Sequence, residues 1–386
     1  MSNNNFLEEI RSLPGLISPL LVDSNAMSAE LVDRPQIRDL EHIYLVGCGD
    51  SYHAGLCSEM LFRQETGLDC RALTSMAFAR YELNSISWKP ERTLVVAVSA
   101  SGRVSRTLEA LELARKAGMF TVAVTADKNS PLAEAADFIF QVKVPSIREE
   151  DESIVVPGCR SFIASLLALY SVGMQLGRER SGNEDSVHHK DSLEPALISK
   201  QIAETISLLE EEAKRAAVDW QEKNYIIYCG AGPSYGSACY SAAKILEASG
   251  TAAFAQDLEE WAHLQYFDGR PEVPTIVISA DGRDSDRAAE IIVAAEAIGC
   301  DVAVIAPKNS SLVLQSNRLR KLLVSGPINE ALSPLMTSIP GMLFAAYHSQ
   351  HKGEIYFRNF GGGRSIEGGG GISRIQSSHR QSDLRR

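Results

Sequence analysis

The sequence lacks the features that mark secreted, metal-binding and membrane-spanning chains. Its seven cysteines, Cys48, Cys57, Cys70, Cys159, Cys229, Cys239 and Cys300, are scattered, and no two form a Cys-x-x-Cys pair. An odd count in a chain of 386 residues speaks against a disulfide scaffold and for reduced thiols in a cytoplasm. Metal-ligand spacing is missing too. His188 and His189 are adjacent in a polar stretch, and no helical pair of histidines stands four residues apart. Apolar runs such as Phe162 to Val172 are too short to cross a bilayer. No basic stripe precedes the tail, and the formal net charge is −11, which argues against nucleic acid as a partner. Met1-Ser2-Asn3-Asn4-Asn5 brings neither a basic start nor an apolar core, so no signal peptide is expected.

What the chain has is enough apolar residue, 45%, for two packed cores, and one conspicuous loop. Val98-Ser99-Ala100-Ser101-Gly102-Arg103-Val104-Ser105 follows the β-branched run Thr93 to Val98, which reads as a buried strand. A helical pattern, Thr107 to Ala117, comes after it and ends at Gly118. A strand-to-helix turn aims unpaired N–H groups and the positive end of a helix dipole at one spot. Ser99, Ser101 and Ser105 add hydroxyls, and Gly102 admits close approach to the backbone. The residues alone leave two readings open: a pocket for an anion, or a serine N-cap.

The loop is repeated. Ser279-Ala280-Asp281-Gly282-Arg283-Asp284-Ser285 carries the same Ser-Ala-x-Gly-Arg-x-Ser pattern. Gly47-Cys48-Gly49-Asp50-Ser51-Tyr52 pairs with Gly230-Ala231-Gly232-Pro233-Ser234-Tyr235, and Lys128-Asn129-Ser130 pairs with Lys308-Asn309-Ser310. Three matches in one order indicate an internal duplication. Strands alternating with helices predict doubly wound, mostly parallel sheets flanked by helices, with ligands beyond the carboxyl ends of the strands. The expected layout is a helical lead-in over 1–40 broken at Pro14-Gly15, a first α/β domain over 41–178 and a linker and helix over 179–221. A second domain follows over 222–355, then a Gly-rich tail over 356–386. Within the first domain, Met76 to Leu83 reads as a short helix and Phe138 to Val144 as the last strand.

Over residues 40–360 these loops resemble the SIS (sugar isomerase) domain family, as two tandem copies. The plan is similar to phosphosugar isomerases and to the isomerase half of glucosamine-6-phosphate synthase. The resemblance implies that the serine loop (Ser99, Ser101, Arg103, Ser105) holds a sugar's anion, with Gly49, Asp50 and Ser51 beside it. It implies that Glu247, on the helix after the second Gly-x-Gly loop, is the base that moves a proton between C1 and C2, with Lys244 one turn before it. It puts His263 in the ring-opening role, reaching a partner subunit's site, so that the active unit is a homodimer or higher homo-oligomer. No cofactor, nucleic acid or membrane is implied.

The departures from the family pattern lie in the anion pocket. Ala100 and Val104 stand where many relatives carry side-chain donors, and Arg103 is added. The segment 152–160, ending in Arg160, replaces a Ser-Thr-Lys stretch, and Arg364 is the nearest cation to the place of a C-terminal lysine. The expected activity is therefore aldose–ketose isomerisation, through an enediol, of a hexose with an anionic C6 group, either a 6-phosphate or a 6-sulfonate as in sulfoquinovose. A ketosamine-6-phosphate deglycase or deaminase and a non-catalytic sugar-phosphate-binding regulator are the alternatives. With no glutaminase segment and no helix-turn-helix ahead of the pair, neither an ammonia-channelling synthase nor a transcription regulator is expected.

Overall fold

A computed structural model describes residues 5–83, 89–147, 155–182, 193–268, 272–326 and 329–359. The chain divides into two compact units, each built on one five-stranded sheet. One comprises, among the described residues, Leu16–Ser146 and Ser161–Pro195. The other comprises Met1–Gly15, Ile147–Arg160 and Ala196–Gly362.

The long entry helix α1 (Asn5–Val32) runs unbroken through Pro14-Gly15, against the expected break. Proline removes one intrahelical hydrogen bond and costs about 3 kcal/mol in a helix interior. The apolar stripe on either side outweighs it: Ile10, Leu13, Leu16, Ile17, Leu20 and Leu21 are all buried, and each contributes about 1.5–3 kcal/mol.

The first-sheet unit contains β1 (His42–Gly47), α2 (Asp50–Thr66), β2 (Asp69–Thr74), β3 (Thr93–Val98), α3 (Ser105–Lys116), β4 (Phe120–Thr125), α4 (Pro131–Ala135) and β5 (Phe138–Gln141). All pairings are parallel, in the order β2-β1-β3-β4-β5. Every residue of β3 is buried, as a parallel strand covered on both faces requires. Tyr44, Val46, Val95 and Ala97 pack against Leu108, Leu111 and Ala114 of α3. Helix α5 (Arg160–Ser181) lies close on α2 because its glycines permit it. A Cβ on Gly173 would meet Leu61 at 2.6 Å, and one on Gly177 would meet the Glu65 carbonyl at 2.7 Å. Arg180 then ties the unit by donating to the carbonyls of Thr66 (3.0 Å) and Leu40 (3.2 Å).

The second-sheet unit contains α6 (Pro195–Asp219), β6 (Tyr225–Gly230), α7 (Pro233–Ser249), β7 (Ala252–Asp257), α8 (Leu258–His263), β8 (Pro274–Ile278), α9 (Ser285–Ala297), β9 (Asp301–Pro307), β10 (Arg320–Val324) and α10 (Ile339–Lys352). Its sheet order, β7-β6-β8-β9-β10, is the same topology as the first, again all parallel. The close approach recurs: a Cβ on Gly341 of α10 would lie 2.2 Å from the Ser241 hydroxyl of α7.

Two local expectations change. The last strand of the first sheet stops at Gln141, and the Met76–Leu83 region is a turn of α-helix followed by a π-turn, Phe78–Glu82. Most of the expected linker, residues 183–192, and the tail from residue 360 lie outside the described residues. Among the described residues no helix is long and apolar enough to cross a membrane.

Candidate functional site

In the first sheet the chain order reverses between β1 and β3, the point where open α/β sheets hold ligands. Val46 and Ala97 are register partners, so the loops leaving β1 and β3 emerge side by side. The serine loop is fixed to β4 by Ser99 N–H to the Val124 carbonyl and Ala126 N–H to the Ala100 carbonyl, each 3.0 Å. Gly102 has φ +61°, and a Cβ there would sit 2.0 Å from the Ser130 hydroxyl, so glycine is required twice over. Ser130 caps α4 and cannot yield easily.

This turn buries the hydroxyls of Ser99 and Ser105, and neither has a hydrogen-bond partner among the described residues. An unmade hydrogen bond in a buried site costs about 1–3 kcal/mol. The N-cap of α3 is Val104, and no side chain caps that helix. Ser101 is exposed, and its hydroxyl accepts from the Arg103 N–H at 3.3 Å. The Arg103 guanidinium donates to Asp127 at 3.1 Å, so its charge is already shared.

The neighbouring loop joins through Thr107, whose hydroxyl donates to Cys48 Sγ at 3.7 Å. Gly49 (φ +55°) opens α2, whose first turn carries Asp50 and Ser51. A Cβ on Gly47 would lie 2.7 Å from the Ser51 backbone, which is why a glycine must end β1. Asp50 also faces His53, with Oδ1 to Nδ1 3.9 Å. Sequence inspection did not single out His53; its three-residue spacing from Asp50 in a helix's first turn was the available signal.

The second copy keeps the backbone plan and changes the chemistry. Here Asp281, at the place of Ser101, takes the left-handed φ of +60°. The Ser279 hydroxyl donates to Asp284 at 2.7 Å, and Arg283 N–H donates to Glu330 at 3.1 Å. Burial pushes the Asp284 carboxyl up to about 6. The Ser279 hydroxyl is thus satisfied within the loop, while Asp284 Oδ2 is buried without a hydrogen-bond partner among the described residues, and carboxylates line the turn.

The second-sheet unit carries a different cluster. Lys244 of α7 is 0% exposed, and its ammonium pairs with Glu247 three residues on. This is a buried lysine meeting a part-exposed carboxylate, unlike the solvated pair that i,i+3 spacing ordinarily gives. Its Nζ also lies 5.0 Å from the Tyr240 ring centroid. The Tyr240 hydroxyl donates to the Gly158 carbonyl at 2.8 Å, and the next residue, Cys159, donates to Glu9 of α1 at 3.5 Å. Burial pushes the Cys159 thiol well above its ordinary value, with Glu9 adding to the effect. Burial likewise raises the Glu9 carboxyl, against the opposing pull of Cys159 and Arg160. Arg160 completes the cluster. Sequence reasoning missed Glu9, because nothing local marks a residue that acts across 150 positions.

His263, at the end of α8, is 64% exposed and pairs with Glu259 at 3.1 Å. Glu259 is also held by Arg287 at 2.7 Å. Arg364 lies outside the described residues. The structure therefore gathers Gly49, Asp50, Ser51, Ser99, Ser101, Arg103 and Ser105 in one unit. It gathers Arg160, Lys244 and Glu247 in the other. A cavity of about 300 Å³ lined by Glu222–Tyr225 and Glu272–Pro274 sits at the amino ends of β6 and β8, the wrong edge of the sheet for a ligand of this fold.

Comparison with known proteins places a SIS domain at residues 36–174. The chain is 26% identical over 345 residues to the glutamine–fructose-6-phosphate aminotransferase [isomerizing] of Idiomarina loihiensis, covering 89% of this chain and 54% of that protein. It spans about half the length of the curated relatives it matches. Among solved structures, the C-terminal domain of glucosamine-fructose-6-phosphate aminotransferase from Francisella tularensis matches with a TM-score of 0.80 at 19% identity, covering 92% of this chain and 98% of that one. Tagatose-6-phosphate ketose/aldose isomerase from Escherichia coli matches with a TM-score of 0.72 at 17% identity, covering 92% and 94%. At these identities the two structures establish the shared fold.

Proposed function

We propose, with residues 36–174 a SIS domain, that this protein is an aldose–ketose isomerase for a hexose with an anionic C6 group. The observation that carries the reading is the pair of buried, unpartnered hydroxyls of Ser99 and Ser105 at the reversal point of the first sheet. An anion with several acceptor oxygens relieves both at once, and the open N-terminus of α3 adds backbone donors. Because Arg103 already pairs with Asp127, the loop offers mainly neutral donors. That supports a singly charged 6-sulfonate beside a 6-phosphate.

In the reaction, Glu247 takes the proton from C2 of the open-chain aldose and returns it to C1 through the enediol; the ketose direction is the reverse. The buried Lys244 ammonium pairs with that carboxylate and fixes it on the helix face from which it would accept the proton. Gly49, Asp50 and Ser51 frame the anion loop, Arg160 and Arg364 supply further cations for the substrate, and His263 serves ring opening in a homodimer. The printed names of the relatives, an isomerizing aminotransferase and a ketose/aldose isomerase, support the reaction class.

The test is a panel of 6-phosphorylated and 6-sulfonated hexoses, with NMR detection of C2 proton exchange in deuterated water. Exchange with any member supports the reading, and no exchange across the panel overturns it. For the shared site, mixing Glu247→Gln with His263→Ala protomers should restore activity in heterodimers; no recovery after verified subunit exchange refutes that role for His263.

A further inference from the structure

Arg160 is 6% exposed, and its Nε is buried without a hydrogen-bond partner. Among the described residues its attracting charged neighbour is Glu9 of α1, and no described residue hydrogen-bonds the Nε. Burying a guanidinium whose Nε makes no hydrogen bond is costly, and a ligand acceptor there would relieve that cost. The chain also holds the segment firmly. Tyr240 grips the Gly158 carbonyl from α7, and Glu9 accepts from Cys159 out of α1.

We propose that Arg160 is the receptor for a carboxylate-class monoanion, a second anion distinct from the C6 group assigned to the serine loop. The class follows from the surroundings. One guanidinium presents a planar fork that matches a carboxylate bidentately. The nearest acidic neighbour that acts on it is Glu9, and burial pushes that carboxyl up. A dianionic phosphate would leave one charge unbalanced on a single guanidinium, whereas a monoanion matches it. Lys244 does not compete for the ligand, since Glu247 holds it.

The same cluster contains the Lys244–Glu247 pair, so the carboxylate is carried on the amine substituent of a ketosamine substrate or comes from a separate small carboxylate bound beside the sugar. That assignment rests on the reading of Glu247 as the acid–base residue; the existence of the receptor does not.

The full chain is titrated calorimetrically at neutral pH and constant ionic strength with sodium acetate and with N-acetylglycine, sodium chloride serving as control. Saturable binding of both carboxylates but not chloride is expected, weakened at least about tenfold in Arg160→Gln. If that variant fails to fold by circular dichroism, Arg160→Lys keeps the charge and loses the fork, and it should still weaken binding several-fold. Two further probes separate the sources. Fructose 6-phosphate and its N-linked glycine conjugate (a ketosamine) are compared for affinity. A gain of about tenfold for the conjugate that vanishes in Arg160→Gln places the carboxylate on the substrate. Equal affinity, with acetate binding unchanged by the sugar, identifies a separate ligand. Absence of saturable carboxylate binding, or binding equal in folded Arg160→Gln and the parent, overturns the proposal. An inactive panel of hexose 6-phosphates with intact Arg160-dependent acetate binding would instead sink the isomerase reading alone.

Discussion

The serine loop and its second copy follow strands of the same rank in sheets of the same topology, and both open a helix. Their backbones offer an anion nearly the same donors, yet their side chains oppose one another. In the first, Ser99 and Ser105 are buried with unmade hydrogen bonds. In the second, Ser279 is committed to Asp284, and Arg283 faces Glu330 through both its backbone N–H and its guanidinium. A carboxylate repels an anion by about 1 kcal/mol at 4 Å even in water. Two sheets of the same topology thus carry loops of the same backbone plan, and the second surrounds it with carboxylates. What the second-sheet unit has in exchange is the buried Lys244 beside Glu247, a pairing suited to moving a proton. The proposed function assigns anion binding to the first loop and proton transfer to this pair, and that assignment can be broken at several points.

The largest expected effect is on the proton-transfer side. Glu247→Gln should lower turnover by about 100- to 10,000-fold with little change in substrate affinity, since it removes a general base and leaves the serine loop intact. Steady-state kinetics beside direct binding would check this; near-normal turnover would remove Glu247 from the role.

Next comes the first cradle. Ser99→Ala and Ser105→Ala together should raise KM or Kd for the C6-anionic sugar by about 10- to 100-fold, at about 1.4 kcal/mol per factor of ten. The same change should leave the free protein as stable or slightly more so, because two unsatisfied buried hydroxyls disappear. A loss of stability with unchanged affinity would mean that the hydroxyls are structural.

The second cradle should respond to pH instead. Asp284 has its carboxyl raised to about 6 in the fold. A raised acid stabilises the folded state below its unfolded value and loses that contribution as pH rises through the folded one. Asp284→Asn should therefore gain about 2–3 kcal/mol relative to the parent between pH 4 and pH 7, by the size of the shift. Denaturant unfolding at several pH values measures it, and a flat difference would show that the loop is not strained by its own carboxylates.

The smallest effect separates the two arginines. Arg103→Ala should weaken substrate binding only by about two- to fivefold, because Arg103 is half-exposed and already pairs with Asp127. Arg283→Ala should leave affinity unchanged. A large loss from either substitution, read by inhibition with inorganic phosphate or sulfate, would shift the anion site toward that arginine.

Much of this was legible in the sequence. The β-branched runs before Gly47 and Ser99, and their copies before Gly230 and Ser279, marked parallel strands ending in ligand loops, because buried parallel strands need near-continuous apolar residues. Gly102 and Gly49 announced tight backbone turns, and the glycine conformations are there. The spacing of Lys244 and Glu247 placed them on one helix face. Other features were beyond reach. Pro14-Gly15 read as a break, since local propensity cannot weigh the packing of residues before and after it.

By itself the sequence determined the two mostly parallel sheets and the glycine-bearing turns at their strand ends, because strand periodicity and glycine placement act over a few residues. Tertiary structure alone decided which polar groups were left over. Ser99 and Ser105 became orphans, Lys244 was buried, and the Arg160 Nε was left without a hydrogen-bond partner among the described residues, next to Gly158 and Cys159, which Tyr240 and Glu9 hold from 82 and 150 positions away. Whether a polar atom is satisfied depends on every neighbour the fold brings to it, and those neighbours come from segments that no local pattern connects.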